Sequence, residues 1–335
     1  MNSGLIWEWI IKSLIIILAM TGGFAYLTWM ERKVLARMQV RFGPNRAGPF
    51  GLLQPVADGI KLIFKEELVP ATADKLLFIL APVITVIPAL IITAVIPWGD
   101  LTFPVGNQQV SLYLSDVNVG VLYILAVTSI SVYGIALAGW ASNNKYATLG
   151  GLRATAQMIS YELAMGFAVM GPIMMAGSMG MMDIVRAQKP LWFAVSQPVA
   201  FVIFYIVSLA EVNRAPFDMP EAEQELVAGY HAEYSGMKFA LFFMAEYIKM
   251  IAIAMIGSSL FLGGFQGPFV DQLPWLGPIY LFIKVIVWLF TMIWVRATLP
   301  RVRYDRLMAL GWKVLFPLAL LNVLVTAAVI LFIGG

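Results

Sequence analysis

The sequence contains no cysteine and one histidine, His231. Without thiols it has no disulfide, no thiolate zinc site and no iron–sulfur cluster held by this chain alone; one imidazole excludes a bis-histidine haem. No glycine-rich phosphate loop follows a strand-like run, so no nucleotide site is indicated. Charge is scarce as well. Only 12% of residues are charged against 61% hydrophobic, and the mean hydropathy is +0.84, which excludes an ordinary soluble domain. Nothing in the net charge of +3 points to nucleic acid. Any redox chemistry must use carriers on partner chains.

Long apolar runs fill the space that charge leaves. A membrane-crossing helix needs about 20 apolar residues. Eight stretches qualify, at roughly 5–30, 77–97, 117–140, 155–179, 194–210, 237–262, 277–296 and 308–333. The first lacks a basic start and a small-residue cleavage site, so it reads as a span and not as a cleaved signal. The expected fold is an all-α polytopic membrane protein of about eight helices, one integral domain over 1–335 without internal repeats.

Lys and Arg set the expected orientation. Arg32, Lys33, Arg37, Arg41, Arg46, Lys61, Lys65 and Lys75 fall between the first two spans, and Arg296, Arg301, Arg303 and Arg306 between the last two. The connections 98–116 and 263–276 contain none. The basic connections belong in the cytoplasm. Cytoplasmic loops are therefore expected at 31–76, 141–154, 211–236 and 297–307, with both termini on the other side of a bacterial inner membrane.

Three constellations carry chemistry. In the first loop, the turn-rich GPNRAGPFG precedes Leu52, Val56, Ile60 and Ile63 at helical spacing, with Gln54, Asp58, Lys61 and Lys65 on the opposite face. Such a helix lies along the membrane surface. It serves either as a plain anchor or as the mouth of a cavity for an amphiphile such as a quinone.

The second constellation is charge inside the spans: Glu162, Lys284, and Glu246 with Lys249 three residues on. Charges there are costly unless paired or hydrated, which makes them functional candidates. The spacing of Glu246 and Lys249 equally suits a structural ion pair. Glu162 has no local base.

The third is EVNRAPFDMPEAEQELVAGYHAEY. It places six of the chain's nineteen acidic residues, Glu211, Asp218, Glu221, Glu223, Glu225 and Glu233, against one base, Arg214. Crowded carboxylates repel and share protons. Pro216 and Pro220 forbid a simple continuation of the preceding helix. Asp218 and Glu221 have capping-box spacing before a short helix that ends near Gly229, and Glu221 and Glu225 share a face of it. A solvated acidic loop is the plain alternative. The interleaved Phe217, Leu226 and Tyr230 argue for a packed segment, and His231 reads as a satisfied loop histidine.

WMERKVLARMQVRFGPNRAGPFGLLQPVADGIKLIFKE and EVNRAPFDMPEAEQELVAGYHAEYSGMKFALFFMAEY resemble the two signature regions of the H subunits of NADH-quinone oxidoreductase, respiratory complex I. GWASNNKYATLGGLRATAQMISYE and IWVRATLPRVRYDRLM resemble two further blocks of that family, in the same order. The resemblance implies a proton-translocating, membrane-arm subunit beside the peripheral arm, forming part of the ubiquinone or menaquinone chamber. It assigns Glu31, Arg32, Arg41, Gln54, Asp58, Lys61 and Phe217 to the quinone side. It assigns Glu162, Glu211, Arg214, Asp218, Glu221, Glu223, Glu225, Glu233 and Glu246 to proton coupling, and matches Arg296 to a basic position at the end of the seventh span. Quinone is the implied substrate, with no flavin, haem or cluster on this chain. Implied partners are iron–sulfur and quinone-site peripheral subunits, small membrane subunits, antiporter-like subunits and lipid. Two other readings stay open: the homologous subunit of an energy-converting hydrogenase, and a stand-alone secondary transporter.

Overall fold

A computed structural model describes the backbone of residues 3–105, 108–219 and 228–333. It is helical almost throughout. The helices are α1 (Ser3–Met38), α2 (Gln54–Ile63), α3 (Lys75–Ile91), α4 (Gly120–Ala141), α5 (Lys145–Ala176), α6 (Met181–Ala187), α7 (Phe193–Ser196), α8 (Pro198–Glu211), α9 (Gly236–Phe261), α10 (Leu276–Thr298), α11 (Tyr304–Leu310) and α12 (Phe316–Ile333). Among the described residues the only strands are an antiparallel hairpin, Thr102–Val105 with Gln108–Ser111, between α3 and α4.

Among the described residues seven helices are long and apolar enough to cross a membrane, α11 and α12 counting as one through the π-helical turn Gly311–Leu315. The stretch expected at 194–210 is different. It divides into the single turn α7 and the 14-residue α8, which spans about 21 Å and falls short of the ~30 Å hydrocarbon core. Gln197 sits at the break between the two. It bonds Thr326 at 2.9 Å and accepts from Asn322 at 2.9 Å, tying the start of α8 to α12. The fourth span also differs, since α5 begins ten residues before the expected 155 and absorbs most of the expected 141–154 loop. The helix predicted between Asp218 and Gly229, with Pro220, Glu221, Glu223, Glu225 and Leu226, lies outside the described residues.

Helices α3, α4, α5, α8 and α9 form the packed centre, and α1 and α12 leave large apolar side chains such as Leu18, Leu324 and Leu331 facing outward. Apolar side chains facing a bilayer meet surroundings as apolar as themselves, so such exposure is not costly in a membrane. With no hydrophobic drive between helices in lipid, close approach decides the packing. α4 and α5 meet at Gly139 and Gly151, where a β-carbon on Gly139 would stand 2.6 Å from the Ala147 carbonyl oxygen.

Gly150 does the same for the acidic connection. A β-carbon there would meet the Gly229 α-carbon at 2.7 Å and the Tyr230 nitrogen at 2.9 Å, all backbone, and Gly229 holds φ 59°. A Gly150→Ala chain should therefore displace the connection at a cost of about 1–3 kcal/mol. Glu-specific proteolysis of residues 211–236 in the folded protein should be faster than in the parent, and unchanged cleavage would contradict the contact.

Candidate functional site

Buried charge collects where α1, α4, α5, α8, α9 and α10 converge. At its centre stands Arg214, just past the end of α8. The chain turns there through Asn213, in the left-handed region (φ 56°) that asparagine tolerates. The Ala215–Pro216 peptide that follows is cis. The Arg214 guanidinium bonds both carboxylate oxygens of Glu31 at 2.9 and 3.3 Å, reaches Glu246 at 2.5 Å, and lies 4.3 Å over the Tyr247 ring. Glu31 is 3% exposed and also accepts from Arg296, at the far end of α10. Two guanidiniums around one buried carboxylate give the complete pairing that offsets the desolvation of the three groups.

A second buried pair follows. The Lys249 ammonium donates to Glu211 at 2.8 Å and to the Ser131 hydroxyl at 3.1 Å. Glu246 and Lys249 share one face of α9 as their spacing demands, yet they do not pair with each other. Each reaches a different partner, Arg214 and Glu211, which corrects the structural-pair expectation. A cavity of about 30 Å³ lies between the two pairs, touching Glu211, Asn213, Glu246, Lys249, Ser131 and Thr85. That volume holds about two waters among polar partners. Glu162 is half-buried on α5 and accepts from the Ser129 hydroxyl, with no ion pair among the described residues.

Clasps hold the acidic connection against this cluster. The Gln157 amide, fully buried on α5, donates to the Ala210 and Phe217 carbonyls, both at 2.8 Å. Asn144 donates to Glu233 at 2.6 Å, and Asp218 is half-buried alongside. Phe217 is buried with its ring 5.9 Å from that of Tyr161. Burial pushes the His231 imidazole down to about 4, so it is neutral at physiological pH and carries no charge there.

The first-loop residues form a separate, exposed site. Asp58 accepts from Arg32 at 2.6 Å and from Gln54 at 3.4 Å, and Lys61 stands 3.6 Å away. Arg41 is not part of this group; it donates to Gln39 at 2.7 Å. No residue of α2 is buried, and Val56, Ile60 and Ile63 present an apolar face that no other described residue covers. Beside it, a cleft of about 620 Å³ opens between Trp29, Lys33, Arg37, Phe50 and Phe290. Glu31 is the residue that joins the two sites. Its neighbour Arg32 belongs to the surface cluster while Glu31 itself points inward to Arg214 and Arg296, a pairing across 265 positions with Arg296 that local spacing cannot reveal.

Lys284 stands apart near the opposite end of α10, donating to the Gly264 and Gln266 carbonyls at 2.7 and 2.6 Å.

The family described as NADH dehydrogenase matches residues 11–327. An H subunit of NADH-quinone oxidoreductase from Thermomicrobium roseum is 53% identical over 92% of both chains. The chain belongs to the family of NADH-quinone oxidoreductase H subunits. Further members include one from Syntrophobacter fumaroxidans, 54% identical over 92% of each chain, and one from Protochlamydia amoebophila, 50% identical over 90% of this chain and 91% of that one. The membrane cluster and the first-loop site both lie inside the region that the family shares.

Proposed function

We propose that this chain is the membrane-arm subunit of a NADH-quinone oxidoreductase, walling the quinone site with the peripheral arm and coupling quinone reduction to proton translocation. The observation that carries this reading is the pair of buried charge groups, Glu31 and Arg296 with Arg214 and Glu246, and Lys249 with Glu211, separated by one small polar cavity. Such pairs interact strongly in low dielectric, so adding or removing one charge at the end shifts the protonation cost at the next. Glu31 and Arg32 put the first of these groups one residue from the exposed cluster, where a quinone headgroup enters along the apolar face of α2.

Electrons reach the quinone from iron–sulfur carriers on partner subunits, and this chain adds no redox centre. Its own residues orient the headgroup and hold charge: Arg32, Gln54, Asp58 and Lys61 at the entrance, Glu31 and Arg214 behind it. Quinone reduction takes up two electrons and two protons. The resulting change of charge near the entrance is felt by Glu31 and passed to Glu246, Glu211 and Glu162. The acidic run Glu211 to Glu233 feeds protons to the same groups. The basic connections face the cytoplasm of a bacterial cell membrane, with both termini on the other side.

Asp58→Asn tests the entrance. The Arg32–Asp58 pair is solvent-accessible, 49% and 24% exposed, so breaking it costs about 1 kcal/mol and assembly survives. The apparent KM for short-chain quinone should rise several-fold while reduction of the peripheral iron–sulfur centres stays normal. An unchanged KM in a fully assembled complex leaves α2 only its anchoring role.

A further inference from the structure

We propose that Gln157 is the positioning residue of the acidic connection: its amide holds Glu211, Arg214 and Asp218 in register with α5, and proton-coupled turnover depends on that grip. This role rests on the coupling reading of the buried charges.

Gln157 is fully buried on α5. Its Nε2 donates to the Ala210 and Phe217 carbonyls, both at 2.8 Å, and to the Asn213 side-chain oxygen at 3.3 Å. Each of these three residues immediately precedes a charged one: Glu211, Arg214 and Asp218. Successive α-carbons stand about 3.8 Å apart, so tying down the first of each couple sets where the charged side chain begins. One side chain thus spans the whole crook by which the chain leaves α8.

The residue type suits the demand. Both backbone partners are oxygens, so the amide nitrogen must face them. A hydroxyl donates once and cannot bridge Ala210 and Phe217. An ammonium could bond both, but it would set a second cation beside the segment that carries Arg214. The amide grips without adding charge. Tyr161, four residues on and so on the same face of α5, rests its ring 5.9 Å from that of Phe217. The Met158 sulfur accepts from the Asn213 amide at 3.5 Å. The crook is thereby registered to the helix that carries Glu162, about 7.5 Å further along its axis.

This grip is separable from hydrogen-bond saturation. The Ala210 carbonyl also accepts from the Asn213 backbone amide at 3.2 Å, and the Phe217 carbonyl from that of Met219 at 3.1 Å. Gln157→Met keeps an unbranched side chain of similar length and leaves neither carbonyl without a donor, so the subunit should assemble. What is lost is the tie between α5 and the connection. A misplacement of about 1 Å at a reacting centre can cost roughly a hundredfold in rate. The entrance residues Arg32, Gln54 and Asp58 lie on α1 and α2, and the substitution touches none of them.

The test compares Gln157→Met and Gln157→Asn, whose amide is one methylene too short to reach, with the parent in the intact complex. Per assembled complex, quinone reductase kcat should fall roughly tenfold or more while the KM for short-chain quinone and reduction of the peripheral iron–sulfur centres stay at parent values. Hydrogen–deuterium exchange over residues 209–219 should become several-fold faster. Parent-like kcat in an assembled variant, a raised KM with kcat unchanged, or failure of both variants to assemble would each overturn the positioning role. Glu162→Gln, measured alongside, separates two failures. A fall in Glu162→Gln with none in Gln157→Met sinks the role of Gln157 alone, whereas parent-like behaviour of both sinks the coupling reading as well.

Discussion

Arg214→Met should strip this subunit from the assembled complex. The substitution keeps an unbranched side chain of similar reach and removes the one group that contacts Glu31, Glu246 and the Tyr247 ring together. Glu31 retains Arg296, so the loss falls on Glu246, left without its base about 15 Å along α9. Breaking a buried pair by removing one partner costs about 3–5 kcal/mol, because the surviving charge stays desolvated. A loss of that size is comparable with a domain's whole stability. The amount of subunit in purified membranes, measured by quantitative mass spectrometry, should therefore collapse. Adding Glu246→Gln to Arg214→Met should recover much of it, since the stranded charge is then gone, and the double-mutant cycle should show strong coupling. Parent-like levels of the single Arg214→Met chain would contradict the pairing.

Composition and period make much of the fold legible. Seven spans follow from apolar length, and α2 follows from Leu52, Val56, Ile60 and Ile63 at three- and four-residue steps. The misread edges have physical causes. Hydropathy detects what must be buried in lipid, not what is helical. The polar stretch 145–154 therefore reads as loop, although Asn144 caps its first turn by accepting from the Tyr146 amide at 2.9 Å. α8 reads as a full span because the apolar residues Phe193, Ala194 and Val195 precede it. Gln197 and Pro198 divide the run, and the buried clasp to Thr326 lets a helix shorter than the bilayer persist.

The site is legible as a set of residues and illegible as a set of pairs. Charge within an apolar run marks Glu162, Glu246 and Lys249 whatever the fold. Which base faces which acid depends on helices far apart in sequence, and the i, i+3 spacing of Glu246 and Lys249 suggests the wrong partner for both. Arg296 enters only as the end of a span, yet it closes one side of Glu31. A basic residue at the membrane end of a helix is the only signal the sequence offers, and it fits topology equally well.

Glu162→Gln should lower quinone reductase activity and proton pumping together, by roughly tenfold or more, the scale on which removing a proton-carrying group acts. Glu162 is the cleanest of the membrane carboxylates to test. Glu211 and Glu246 each hold a buried base, so neutralising either strands Lys249 or Arg214; among the described residues Glu162 rests only on the Ser129 hydroxyl, which a glutamine oxygen still accepts from. Assembly should therefore survive, and what is lost is the carboxyl group alone. The decisive measurement is the proton-to-electron ratio of the Glu162→Gln complex in sealed vesicles, taken with its turnover. Coupled translocation through these carboxylates predicts an assembled enzyme whose turnover and pumping are depressed in step. Normal turnover with a normal ratio would make the buried charges scaffolding.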